Sequence, residues 1–220
     1  MFQTIFLKEE INLDQNAYSQ NHSQSENGQA VVPQFNHGAH ELLDLKEILS
    51  AMIGALNQKT IFRQHIQDQE LLNIVDRQYA FALAEYNSLV ECFQTGKDPS
   101  TTTTSYKMQT DNDTKYGLTA SQPKKPIQGP NEISDELITG FLLGSAKAAA
   151  TGKVGAALEA TNPVVRRVLQ DSIPNCIEMA YELSLYANKH GWYQVPRFDE
   201  QTMQQIMSSY GTAQGPMYKQ

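Results

Sequence analysis

The chain has little cysteine, modest charge and no basic excess. Two cysteines in 220 residues, Cys92 and Cys176, cannot staple a mini-domain, and both sit in apolar stretches where a small buried thiol is expected. Charged residues make up 19% of the chain, and 17 Lys and Arg against 24 Asp and Glu leave a net charge of -7. Phosphate neutralisation needs a positive surplus, so nucleic acid is not an expected partner. No apolar run reaches the roughly 20 uninterrupted residues of a membrane span. The most apolar stretch, 137–158, is broken by Lys147 and Lys153. The N-terminus places Lys8, Glu9 and Glu10 where a secretory leader has its apolar run, so no export signal is expected. A glycine-rich phosphate loop, a nucleophile elbow and a Ser-His-Asp order are also missing. No catalytic residue, cofactor or small-molecule substrate is therefore assigned.

What the chain has in quantity is amide: 22 Gln and 13 Asn, with a mean hydropathy of -0.47. Six of the glutamines (3, 15, 20, 24, 29 and 34) fall in residues 1–38, and six more (194, 201, 204, 205, 214 and 220) fall at the other end. Residues 1–38 lack a period of 2 or 3.6 and carry few large apolar groups to offset ordering entropy, which predicts a mostly disordered arm.

Between the ends, apolar spacing predicts four helices. The first spans 39–59, with Leu42, Leu43, Leu45, Ile48, Leu49, Met52, Ile53 and Leu56 as its apolar face. The second spans 68–94, opened by Asp68 as N-cap and ending near Gly96. The third spans 134–157, opened by Ser134 with Asp135 and Glu136 at the positive end of the helix dipole, and counts Ile138, Phe141 and Leu142 on its face. The fourth spans 163–190, opened by Asn162-Pro163 and expected to kink at Pro174, with Ile173, Ile177 and Tyr181 in its apolar series. A linker at 96–131 holds Pro99, Pro123, Pro126 and Pro130 with hardly any period, too long for a structureless connection in a compact domain unless it has a role. A C-terminal tail at 196–220 carries a short helix over Glu200 to Ser209.

A shift of 94 residues superposes the two helical pairs, placing Leu71 on Val165, Ile74 on Val168, Val75 on Leu169 and Leu83 on Ile177. Chance coincidence at a helical period and true duplication both fit. Under duplication the expected fold is all-α, a ferritin-like four-helix bundle spanning 39–195, made of two hairpins joined by a long crossing linker, with flexible tails.

Whole phrases carry a family resemblance. HGAHELLD (37–44), FRQHIQDQELLNIVDRQY (62–79), YKMQTDNDTKYGL (106–118), ATNPVVRRVLQDSIPNCIEMAYEL (160–183) and NKHGWYQVP (188–196) resemble the spore coat protein F family of endospore-forming bacteria. The resemblance spans about 37–196. It implies a ferritin-like bundle and a structural place in the spore coat, reached from the mother-cell cytoplasm, with other coat proteins or further copies of the chain as partners. It implies no known reaction.

A ferritin-like bundle invites a dimetal centre, which needs a Glu on each of two helices and Glu-x-x-His on the other two. Here Glu85 is followed three residues on by Ser88, Glu91 by Gln94, Glu178 by Tyr181 and Glu182 by Leu185. Without the histidines, the weak metal candidates are Glu47, Glu85, Glu136 and Glu178, and no metal is assigned. His37-x-x-His40 lacks further ligands at zinc spacing and reads as a pair of surface histidines at a helix entrance. Arg166 and Arg167 offer an anion grip, or pairing of one with an internal carboxylate such as Asp76 or Asp171. Trp192 and Tyr193 serve as a core cap or as a docking patch. The expected function is thus structural, in coat assembly and spore protection. The alternatives are a ferritin-like metal protein or oxidoreductase, and an adaptor binding other coat proteins through the linker or the Trp192 patch. Gln, Lys and the 10 Tyr of the chain also supply groups for cross-linking the tails into an insoluble layer.

Overall fold

Helices begin here where a short polar side chain can accept the backbone N–H groups that the first turn leaves unpaired. A computed structural model describes residues 36–215 and contains α1 (Ala39–Arg63), α2 (Gln69–Thr95), a 3-10 turn (Pro130–Glu132), α3 (Asp135–Glu159), α4 (Pro163–Lys189) and α5 (Glu200–Ser208). Asp68 caps α2 by accepting from the Glu70 N–H, Ser134 caps α3 by accepting from Leu137, Asn162 caps α4 by accepting from Val164 and Val165, and Asp199 caps α5 by accepting from Thr202. Gly96 closes α2 with φ of 62°, a left-handed turn that glycine enters without a Cβ penalty. The chain is all-α: no strand occurs among the described residues, and the sheet-like feature there is a single bridge between Tyr116 and Val195.

Contacts between element ends define the wiring. The α1–α2 turn meets the start of α3, because Asp135 accepts from the backbone N–H groups of Gln67 and Asp68. The end of α4 is there too, with the Tyr186 hydroxyl donating to Asp68 at 3.0 Å. At the opposite end, Asn162 at the start of α4 donates to the carbonyl of Gly96 at 2.9 Å, and Glu41 of α1 binds the α3–α4 loop. The helices are therefore antiparallel within each sequential pair, while α2 and α3 run parallel. The 97–129 segment must travel the full length of the bundle, as one-crossover bundles require.

The core forms in two halves. Leu71, Ile74, Val75, Ile138, Leu142, Leu183 and Tyr186 make one cluster, and Leu45, Met52, Leu89, Cys92, Val165, Val168 and Leu169 the other. Between them in register lie the polar residues Gln78, Glu85, Lys153, Ser172 and Asn175, all buried or half-buried. Both cysteines are free and buried, and burial pushes the Cys92 thiol up to about 11.

Several expectations are corrected. α1 continues to Arg63, where its guanidinium pairs with Asp76 at 2.7 Å, and α3 runs on to Glu159. Residues 36–38, assigned by composition to the arm, belong to the bundle: Asn36 donates to the Gly96 carbonyl and the Gly38 N–H to Thr161 Oγ1. The rest of the arm, 1–35, and the last residues, 216–220, lie outside the described residues. The apolar faces read from the sequence are too wide. Leu43, Ile53, Leu83, Phe141, Ile177 and Tyr181 are exposed, because each helix has only two helical neighbours and its outer flank faces water. α4 runs through Pro174 to Lys189.

Candidate functional site

The most organised polar feature is the seam where the linker lies along α4. Three carboxamides each bind the linker backbone as a strand neighbour would, offering both an acceptor and a donor. Asn175 accepts from the Tyr106 N–H at 2.8 Å and donates to the Thr104 carbonyl at 3.0 Å. Asn188 accepts from the Lys115 N–H at 2.7 Å and donates to its carbonyl at 3.0 Å. Gln194 does the same to Thr119, at 2.6 and 3.1 Å. A segment with no secondary structure thereby satisfies backbone groups it could not otherwise pair.

Glu182 anchors the middle of the seam with a side chain that is fully buried. It accepts from Tyr106 Oη at 2.5 Å, Arg77 Nη2 at 2.6 Å, the Gln109 N–H at 3.0 Å and Gln78 Nε2 at 3.1 Å. Burial alone would raise its pKa; the donors from Tyr106, Gln109, Gln78 and Arg77 outweigh it and hold the carboxyl below its ordinary value of 4.5. The same burial, with Glu182 beside it, pushes the Tyr106 phenol up, so it stays a donor.

Glu41 closes the end of the bundle where α1 starts. It contacts His37 Nδ1 at 2.5 Å and accepts from the Thr161 N–H at 2.5 Å, Thr161 Oγ1 at 2.7 Å and the Asn162 N–H at 2.7 Å. Burial opposes ionisation, and the donors from Asn162, His37 and Thr161 again prevail, lowering the pKa. At the centre of the bundle Glu85 Oε2 meets Lys153 Nζ at 3.3 Å while its Oε1 accepts from Asn175 Nδ2 at 2.7 Å. Beside this group is a cavity of about 40 Å³ lined by Met52, Phe81, Leu89, Val168 and Thr101–Thr104, roomy enough for a water molecule.

The residues singled out in the sequence are dispersed. Glu47 is exposed on α1, Glu85 joins Lys153 and Asn175, Glu136 pairs with Lys124 at 2.8 Å, and Glu178 is half-buried on α4. Among the described residues no group of three or more His, Cys, Asp and Glu could hold a metal ion. His37 is committed to Glu41, and exposed His40 lies 3.4 Å from Glu159. Arg166 is exposed; Arg167 pairs with Asp98 and, at 3.3 Å, with Asp171, so the pairing is made at the surface and with a linker residue. Trp192 stacks on His190 with ring centres 4.6 Å apart and packs edge-on against Tyr186, capping one core cluster. Tyr193 is 42% exposed, with the Lys147 ammonium 5.1 Å from its ring centre.

No role is read from the sequence for Glu41, Lys153, Asn175 and Glu182. One signal pointed to them: a charge inside an apolar helical run, as at Lys153, requires a buried partner.

The fold is a helical bundle whose buried polar groups hold the linker as a strap. The family signature described as Coat F domain matches residues 134–196, which covers α3, α4 and the Trp192 turn. The chain belongs to the spore coat protein F-like family. It is 49% identical over 180 residues to the spore coat protein F-like protein YhcQ of Bacillus subtilis (strain 168), covering 82% of this chain and 83% of that one. A second relative in the same organism, the spore coat protein F-like protein YraD, is 36% identical over 75 residues, 34% of this chain and 76% of that one. The crystal structure of a putative spore coat protein, BH2358 from Bacillus halodurans C-125, superposes with a TM-score of 0.54 at 15% identity. It covers 74% of this chain and 96% of its own, which is a likeness of fold.

Proposed function

We propose that the chain is a structural component of the endospore coat, contributing to coat assembly and spore protection, with a ferritin-like bundle as its rigid unit and amide-rich arms at 1–35 and 209–220 as its means of attachment. The observation that carries this reading is the 49% identity, across 82% of the chain, to a protein named for the spore coat. The interior agrees with it: Glu41 and Glu182 are occupied with backbone and side-chain donors, as parts of a scaffold are. Partners under this reading are other coat proteins or further copies of the chain, and cross-linking through Gln, Lys and Tyr of the arms makes the attachment covalent.

A fluorescent fusion followed through sporulation tests it. The expected signal is a shell around the developing spore. An even signal in vegetative cytoplasm overturns the reading.

The adaptor reading is favoured by one observation, α5. The helix buries none of its residues, and Phe198, Ile206, Met207 and Tyr210 are exposed on and beside it, an apolar surface of the kind that partner helices or grooves take up.

A further inference from the structure

At the centre of the bundle one carboxylate, Glu85, holds an amine on one oxygen and a carboxamide on the other. Lys153 is 2% exposed and Asn175 3% exposed. They come from different helices, α3 and α4, and each touches a different oxygen of Glu85 from α2. We propose that Lys153 and Asn175 are the two halves of an internal isopeptide cross-link, assembled by Glu85 inside the folded bundle.

The first requirement is a neutral amine. Glu85 Oε2 lies 3.3 Å from Lys153 Nζ and is the acceptor to which the amine hands its proton for the step. The second requirement is an activated carbonyl. Asn175 Oδ1 accepts from the Tyr106 backbone N–H at 2.8 Å, a fixed donor aimed at the oxygen on which negative charge develops. The third is a way out for the leaving group. Asn175 Nδ2 donates to Glu85 Oε1 and to the Thr104 carbonyl, and Glu85, Thr104 and Lys153 all line the cavity of about 40 Å³.

The step balances with no oxidant and no co-reactant. The Nζ lone pair of Lys153 attacks Cγ of Asn175, and the oxyanion rests on the Tyr106 N–H. Glu85 returns the proton it took from Lys153 to Nδ2, the Cγ–Nδ2 bond breaks, and ammonia leaves. Of the two protons left on Nζ, one stays on the new secondary amide and the other passes by way of Glu85 to the ammonia, which departs as ammonium. Glu85 ends as it began, so it acts as a proton carrier. The linker is part of the machinery: without Tyr106 seated on Asn175, the carbonyl has no donor.

Intact mass measurement of the folded, aged full chain tests this, followed by peptide mapping. The expected result is a chain lighter than its sequence by one ammonia, with the peptide containing residue 153 joined to the peptide containing residue 175. Lys153→Arg and Glu85→Gln should both retain the ammonia. A wild-type chain at full sequence mass overturns the proposal, and so does an ammonia loss that maps to a linear peptide, as when an asparagine closes to a succinimide. The wild-type measurement decides even if a variant fails to fold. Neither result depends on where the protein resides in the spore.

Discussion

Glu182 illustrates how one residue sets the behaviour of a whole segment. Its carboxylate receives donors from α2, the linker backbone and the Tyr106 hydroxyl, so its removal strips Arg77 and Tyr106 of their acceptor and leaves Gln78 only the Met179 carbonyl. Breaking a buried charge pair by truncating one partner costs about 3–5 kcal/mol. Glu182→Ala should lose stability of that order in denaturant unfolding and should expose the linker near Lys107 to proteolysis. The pH dependence has a fixed sign. Because Glu182 and Glu41 are both held below 4.5 in the folded state, the unfolded chain binds more protons in that region. Their stabilisation is complete above pH 4.5 and is lost as pH falls through the depressed values. Glu182→Gln should be less stable than wild type at neutral pH, and its stability should fall less steeply in acid. An equal fall in both proteins would show that Glu182 does not carry the effect.

Among the elements, α4 is the one that organises the rest. It carries the N-cap Asn162, the linker clamps Asn175, Glu182 and Asn188, and the ring stack through Tyr186. Its start was legible in the sequence, since Asn162 bonds N–H groups only two and three residues away. Its inner face was not. Ile177 and Tyr181 belong to the apolar period yet point outward, while Glu182 is fully buried, because the linker covers a flank that a four-helix pattern would leave to water. Pro174 gives a test at this scale. It is exposed and interior to the helix, where proline removes one backbone hydrogen bond and is less favourable than alanine by about 3 kcal/mol. Pro174→Ala should raise the thermal midpoint, corresponding to about 1–3 kcal/mol. A lower midpoint would mean that Pro174 itself helps to seat Asn175 against the linker.

At the scale of the whole molecule, two apolar clusters are separated by a polar layer and bound on one side by the strap. The paired positions Leu71 and Val165, Ile74 and Val168, Val75 and Leu169 are all buried, while Leu83 and Ile177 are both exposed. The tail stands apart from this arrangement, since α5 buries no residue. Deleting residues 199–220 should leave the unfolding midpoint of the bundle within about 0.5 kcal/mol of wild type, the range expected for surface changes. The same deletion should release the protein from the insoluble coat fraction if the tail is an attachment point. Full retention in that fraction would assign attachment elsewhere.

The sequence by itself determined where α2, α3 and α4 start and where α2 stops, because capping by Asp68, Ser134 and Asn162 and the turn at Gly96 act within a few residues. It also supplied the family, through phrases that run across both hairpins and the linker. Which face of each helix is inside was decided only by the tertiary structure. Glu41 meets Asn162 across 121 residues, Glu182 meets Tyr106 across 76, and Lys153 meets Glu85 across 68. A buried charge is tolerable only when its partner arrives, and the partner's arrival depends on how the helices and the crossing linker pack, which no local spacing encodes.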